Sequence, residues 1–245
     1  MRTSNPLLRA DTFRAHAAAG ADTMTIMGSV NKTALLVAAV FGTAIWSWRE
    51  LLHAGSQAVY PWVIGGLIGG GVLSLVTYFK PLLAAYTAVP YALCEGLFLG
   101  AVSAAFEARY PGIAMQATGL TATTLLALLF AYRSGLIRAT ENFKLGVTAA
   151  TGGVMLLYLA AFVLRLFGIE MPFLHDHGLI GIGISMVIVV IAALNLVLDF
   201  DFIEQGQANG APKRMEWYAA FGLLVTLVWL YLEVLRLLAK LNRRD

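Results

Sequence analysis

The chain has 245 residues, of which 59% are hydrophobic and 13% charged, with a formal net charge of +3. A soluble domain carries roughly 25% charged residues, so this chain has too few to cover a water-facing surface. The mean hydropathy is +0.76 and the isoelectric point about 9.1, but the basic residues are scattered over short connections. Without a basic stripe there is no case for a nucleic-acid partner.

The first thirty or so residues are polar and alanine-rich and carry Arg2, Arg9 and Arg14. No long apolar core precedes a small-residue cleavage site, so residues 1–30 are expected to stay on as a polar cytoplasmic segment. Long uncharged stretches then predict seven spanning helices, at about 31–48, 59–79, 82–106, 112–132, 145–167, 178–200 and 217–238. About 20 residues at 1.5 Å each cross the roughly 30 Å hydrocarbon core. In lipid a helix satisfies its own backbone polar groups, whereas the short alternating segments of a membrane β-barrel are missing here. The expected fold class is therefore all-α membrane, with a transmembrane domain over 31–238 and a basic tail over 239–245. The bilayer is its first partner.

Trp46, Trp48, Trp62, Tyr132 and Trp217 stand near the predicted ends, where an interfacial belt places aromatics. With the N-terminus inside, that side collects Lys32, Lys80, Arg133, Arg138, Lys144, Lys213 and Arg214 besides the three N-terminal arginines. Before the tail, the other side has Arg49, Arg109 and Arg165. The positive-inside rule favours a cytoplasmic N-terminus. The C-terminal end, with Arg236, Lys240, Arg243 and Arg244, pulls the other way.

Span two holds Gly65, Gly66, Gly69 and Gly70, two overlapping Gly-x-x-x-Gly pairs, and span three repeats the spacing at Gly96 and Gly100. Small residues let helix backbones approach closely in lipid, so these six are candidates for helix packing, with a glycine-lined path or dimer face as the other reading. Pro90 within span three should kink that helix.

An ionisable group in hydrocarbon costs at least ~2.5–3.5 kcal/mol, which makes each one a functional candidate. Glu95 lies near the middle of span three. It either serves a wet or proton-linked path or makes a static hydrogen bond. Asp199, Asp201 and Glu204 close span six. Asp199 and Asp201 point to nearly opposite sides of the helix, while Asp201 and Glu204 share a face. An acidic helix end at the interface is the simpler account of the latter two. Asn195 is one turn before Asp199. Glu216 opens span seven, and Glu233 with Arg236 forms an i,i+3 pair of structural character. Arg165 can snorkel outward. His175, Asp176 and His177 could ligate a metal but lack a further spaced ligand, and Cys94 has no partner cysteine. No metal or cofactor is expected. Phosphate-loop, zinc-protease and serine-hydrolase motifs are also missing, so no enzyme is expected.

Three segments carry a family resemblance. Tyr110-Pro111-Gly112-Ile113-Ala114-Met115-Gln116-Ala117, with Thr121, resembles the fourth-helix signature of the Bax-inhibitor family. Met24 to Gly28 followed by Asn31 to Ala34 is similar to the segment before the first span in bacterial YccA-like members. The Asp199 stretch resembles the family's helix-six aspartate. The resemblance implies six helices packed around a central C-terminal seventh, and a pH-sensitive calcium leak gated by two proton-sharing aspartates. Asp199 matches the first of that pair. The second falls near Val225 or Thr226, where no carboxylate stands. Any proton sensing must then recruit Glu95, Asp201 or Glu216 beside Asp199. The resemblance also implies an alternative, a non-conducting regulator of a membrane-bound AAA protease in a bacterial inner membrane. Such a regulator could work through its N-terminal segment.

Overall fold

The computed structural model describes residues 23–54, 56–168 and 178–242. The described chain is helical: α1 Ile26–Ala54, α2 Ser56–Phe79, α3 Ala84–Arg109, α4 Ile113–Arg133, α5 Glu141–Leu166, α6 Leu179–Ala208 and α7 Met215–Asn242, with a 3-10 turn at Pro81–Leu83. All seven α-helices are long and apolar enough to span a membrane. Each predicted span finds its helix, and most of the helices run longer. α1 has 29 residues and α6 has 30, about 45 Å for the latter against a core of roughly 30 Å. Charges end an apolar run without ending its hydrogen bonding, so Arg49, Glu50 and His53 ride in the last turns of α1.

The same cause moves two features away from their expected places. α6 continues through Asp199, Asp201 and Glu204 to Ala208, so these acids lie inside a helix and the connection to α7 shrinks to residues 209–214. Lys240, expected in a solvated tail, is helical and buried, its Nζ donating to the Gly181 carbonyl at 3.0 Å and the Ser185 hydroxyl at 2.8 Å.

Apolar side chains fill the interior, with Leu36, Leu196, Phe221 and Leu230 buried, and also cover the exterior. Met115 is 80% exposed and Phe130 72%, while Ser29, Thr33, Ser47, Thr121 and Ser185 are buried. Lipid accepts the apolar side chains, and hydroxyls find carbonyls. Thr33 donates to Ser29 and Thr121 to Ala117, one turn back on their own helices, at 2.9 and 2.8 Å. Trp46 and Trp62 meet edge to face at 5.7 Å between centroids.

The helices fall into two packing units, the described residues of 23–114 with 201–225, and of 115–200 with 226–242. In the first, α1 and α2 both lie against α3. A Cβ on Gly96 would overlap the Val40 carbonyl and the Thr43 hydroxyl, and one on Gly100 would overlap the backbone of Ala44. This approach lets the Ser47 hydroxyl reach across to the Leu97 carbonyl at 2.8 Å. On α2, Gly66 lies beside the Cys94 carbonyl, Gly69 beside its sulfur and Gly70 beside Glu95. Gly65 faces open space.

The Tyr110-Pro111-Gly112 turn joins α3 to α4. Glu107, in the last turn of α3, accepts from the Gly112 and Ala114 amides at 2.6 and 3.0 Å, so one carboxylate satisfies two otherwise orphaned donors at the start of α4. Thr140 caps α5 by accepting from the Phe143 amide.

Filling the α1–α3 contact should be costly where filling Gly65 is not. Gly100→Val is expected to destabilise the fold by about 1–3 kcal/mol or more through overpacking, and Gly65→Ala to stay within about 0.5 kcal/mol. Unfolding of the purified protein in detergent measures both.

Candidate functional site

Asp199 sits on α6 with one carboxylate oxygen hydrogen-bonded to the Thr226 hydroxyl of α7. Its other oxygen, Oδ2, is buried and has no hydrogen-bond partner among the described residues. Asn195, one turn earlier, spends its amide nitrogen elsewhere, donating to Thr151 Oγ1 on α5 and to the Ile191 carbonyl, both at 2.8 Å. Thr226 occupies one of the two positions at which the family resemblance called for a second carboxylate, and a hydroxyl takes that place. Asp201, about 200° further round the helix, accepts from Gln205. Glu204 is exposed.

Glu95 is half-buried on α3. The Tyr91 hydroxyl, one turn back, donates to it. Tyr91 is held in turn by an edge-to-face contact with Phe221, at 4.8 Å between centroids. A Cβ on Gly70 of α2 would come within 3.2 Å of Glu95 Oε1, so the missing side chain makes room for the carboxylate.

Glu216 has a different setting. It lies in the first turn of α7 and is 1% exposed. Its carboxylate accepts from the Thr25 amide at 2.9 Å, from the Thr25 hydroxyl at 3.0 Å, and from the Lys32 ammonium. A carboxylate there is favoured by the positive end of the helix. Gly28 on α1 leaves the space it fills, since a Cβ would collide with the carboxylate. Three further contacts fasten the same stretch. The Met24 amide donates to the Ala211 carbonyl at 2.7 Å, Thr23 bridges Pro212, and the Ile26 amide donates to Gln207 at 2.8 Å. Lys32 also lies over the Trp217 ring, 5.5 Å from its centroid. The residues just before α1 thus form a strap tied to the α6–α7 connection.

The Glu233 and Arg236 pair is present, with Arg236 Nη1 3.0 Å from each carboxylate oxygen. Tyr158 on α5 donates to Glu233 at 2.7 Å and accepts from Arg236. Arg165 is exposed. His175, Asp176 and His177 lie outside the described residues, and among the described residues no three His, Cys, Asp or Glu side chains gather to hold a metal.

Sequence reasoning named all four acids but missed most of their partners. The Tyr91 and Glu95 pair was open to it, because i,i+4 spacing places both on one face. Lys32 and Glu216 are 184 residues apart, and no local pattern announces such a pair.

Seven apolar spanning helices with their carboxyl groups held by hydroxyls, amides and basic side chains define an integral, multi-pass membrane protein. The chain belongs to the Bax inhibitor 1 like family, whose model matches residues 5–243. No curated protein and no solved structure matches it at a significant level.

Breaking the strap contact gives a direct check on the clamp. Glu216→Gln leaves Lys32 without its counter-charge, and a broken buried pair costs up to about 3–5 kcal/mol. Hydrogen exchange at the Met24, Thr25 and Ile26 amides should accelerate by at least about tenfold, with 1.4 kcal/mol corresponding to each factor of ten. Unchanged exchange would show that Glu216 does not hold the strap.

Proposed function

We propose that this protein is a non-enzymatic cation leak of the Bax-inhibitor type, controlled by protonation of Asp199, in a bacterial inner membrane with its N-terminus cytoplasmic. The observation that carries this reading is the buried Asp199 Oδ2, without a partner among the described residues. A carboxyl in this setting has two states with different needs. The protonated form is neutral, whereas the ionised form requires positive charge or water nearby. Gaining or losing the proton therefore biases the contact with Thr226, the point where α6 meets α7 at this carboxyl.

Glu95 is the second candidate for proton sensing, a half-buried acid within α3 with a neutral tyrosine as its hydrogen-bond donor. Calcium is the ion implied by the family resemblance. The orientation rests on the excess of Lys and Arg in alternate connections.

The strap favours a second reading. Thr23 to Ile26 are fastened to the α6–α7 connection, so a partner that grips the N-terminal segment would pull on α6 and α7. A regulator of a membrane AAA protease could use that route without conducting.

Purified protein in liposomes with a trapped calcium dye and a trapped monovalent-cation dye separates the two. The leak predicts flux that changes between about pH 6 and 8 and falls at least tenfold in Asp199→Asn, with a smaller loss in Glu95→Gln. Absence of flux for either ion across that range, or flux indifferent to both substitutions, removes the leak and leaves the regulator.

A further inference from the structure

We propose that the Asp199 carboxylate, with the Thr226 hydroxyl, is a binding site for a monovalent cation such as sodium or potassium, and not for calcium. The inference rests on Asp199 lying in the ion path and narrows that reading to an ion class. The argument is one of charge. Of the described carboxylates in this packing unit, Glu141 pairs with Lys144 at 3.6 Å and Glu233 with Arg236 at 3.0 Å. Asp199 has no ion pair among the described residues, and its one hydrogen-bond partner among them, Thr226 on α7, is neutral. Asn195, one turn back on α6, turns its amide nitrogen to Thr151 on α5. The ionised site therefore carries a single negative charge, and Oδ2 is its open oxygen.

One monovalent cation cancels that charge. A calcium ion would leave an uncompensated positive charge in a low-dielectric setting, which is costly unless paired. Calcium also takes six to eight oxygen ligands, and its affinity follows the number of charged ones. Asp199 supplies one. Hard oxygens from a carboxylate and a hydroxyl suit an alkali cation, with hydroxyl and amide oxygens completing the shell without adding charge. Proton and alkali cation each neutralise the same oxygen, so they compete for it.

Labelling of Asp199 by dicyclohexylcarbodiimide tests this without measuring transport. The reagent adds to protonated carboxyl groups, so a cation bound at Asp199 suppresses the adduct. Full-length protein in detergent is labelled in sodium, potassium, calcium or choline chloride at matched ionic strength. Mass spectrometry reads the adduct, and the melting temperature is recorded in the same salts. Sodium or potassium should suppress labelling and raise the melting temperature relative to choline. Calcium should need at least about tenfold more for the same effect. Asp199→Asn should lose both responses. A second carboxylate, introduced as Thr226→Asp or, if that variant does not fold, Asn195→Asp, should reverse the order in favour of calcium.

Calcium acting at equal or lower concentration than sodium overturns the proposal, as does failure of every cation to change either readout. Protection by sodium in a protein that shows no flux leaves the cation site standing and removes the leak. Asp199-dependent flux without protection does the opposite.

Discussion

A polar atom moved from water into hydrocarbon must find a partner within the protein, and in this fold that constraint sets the place of almost every hydrophilic side chain. Threonine and serine hydroxyls turn back to carbonyls on their own helices or, at Ser47, reach across to the next one. Glu233 draws in Tyr158, Trp229 and Arg236. Lys240 is buried because Gly181 and Ser185 offer oxygens to its ammonium. Apolar residues are under no such demand, and large ones lie both in the core and over the outside of the helices. Against this background Asp199 Oδ2 is conspicuous, since among the described residues the rule that places the other groups leaves it without a partner.

The carboxylates divide according to what meets them. Glu216 receives a charge and two hydrogen bonds in a place where the helix end already favours it, so it fastens one piece of chain to another. Glu95 has a neutral donor on its own helix and a glycine opposite. Asp199 has a neutral donor on another helix and one oxygen left over. Their sequence contexts are similar, each an acid beside apolar residues. The difference in role comes from what meets them: a distant lysine and strap for Glu216, a distant hydroxyl for Asp199, and a tyrosine one turn back for Glu95.

This division also marks how much could be read from the amino acids alone. Helix number and helix class follow from the length and apolarity of the runs, because in a bilayer a 20-residue uncharged stretch has few other options. Helix ends were misjudged for a related reason. Hydropathy records where the oil stops, and the backbone ladder of α1 and α6 carries on past that point. Gly96 and Gly100 were legible as packing residues from their spacing, but Gly65, with the same spacing to Gly69, faces open space. The motif states that a helix can approach, not which side will be approached. Glu107 had a local signal in its position four residues before the Pro-Gly turn. Lys32 had none, because a partner across the fold leaves no periodic trace, and the position of Thr226 was marked only by the family resemblance.

The strap has a consequence for how the molecule is made. Lys32 emerges from the ribosome early, and Glu216 follows only after six of the seven helices. For most of synthesis the lysine is without that partner, and a cationic residue at the start of the first span also helps to orient insertion. Arrival of the last helix then gives it a counter-ion and draws the two ends of the chain's membrane domain together. A nascent protein stalled before residue 216 would have an unfastened first helix, so completion of the clamp distinguishes a finished bundle from a truncated one.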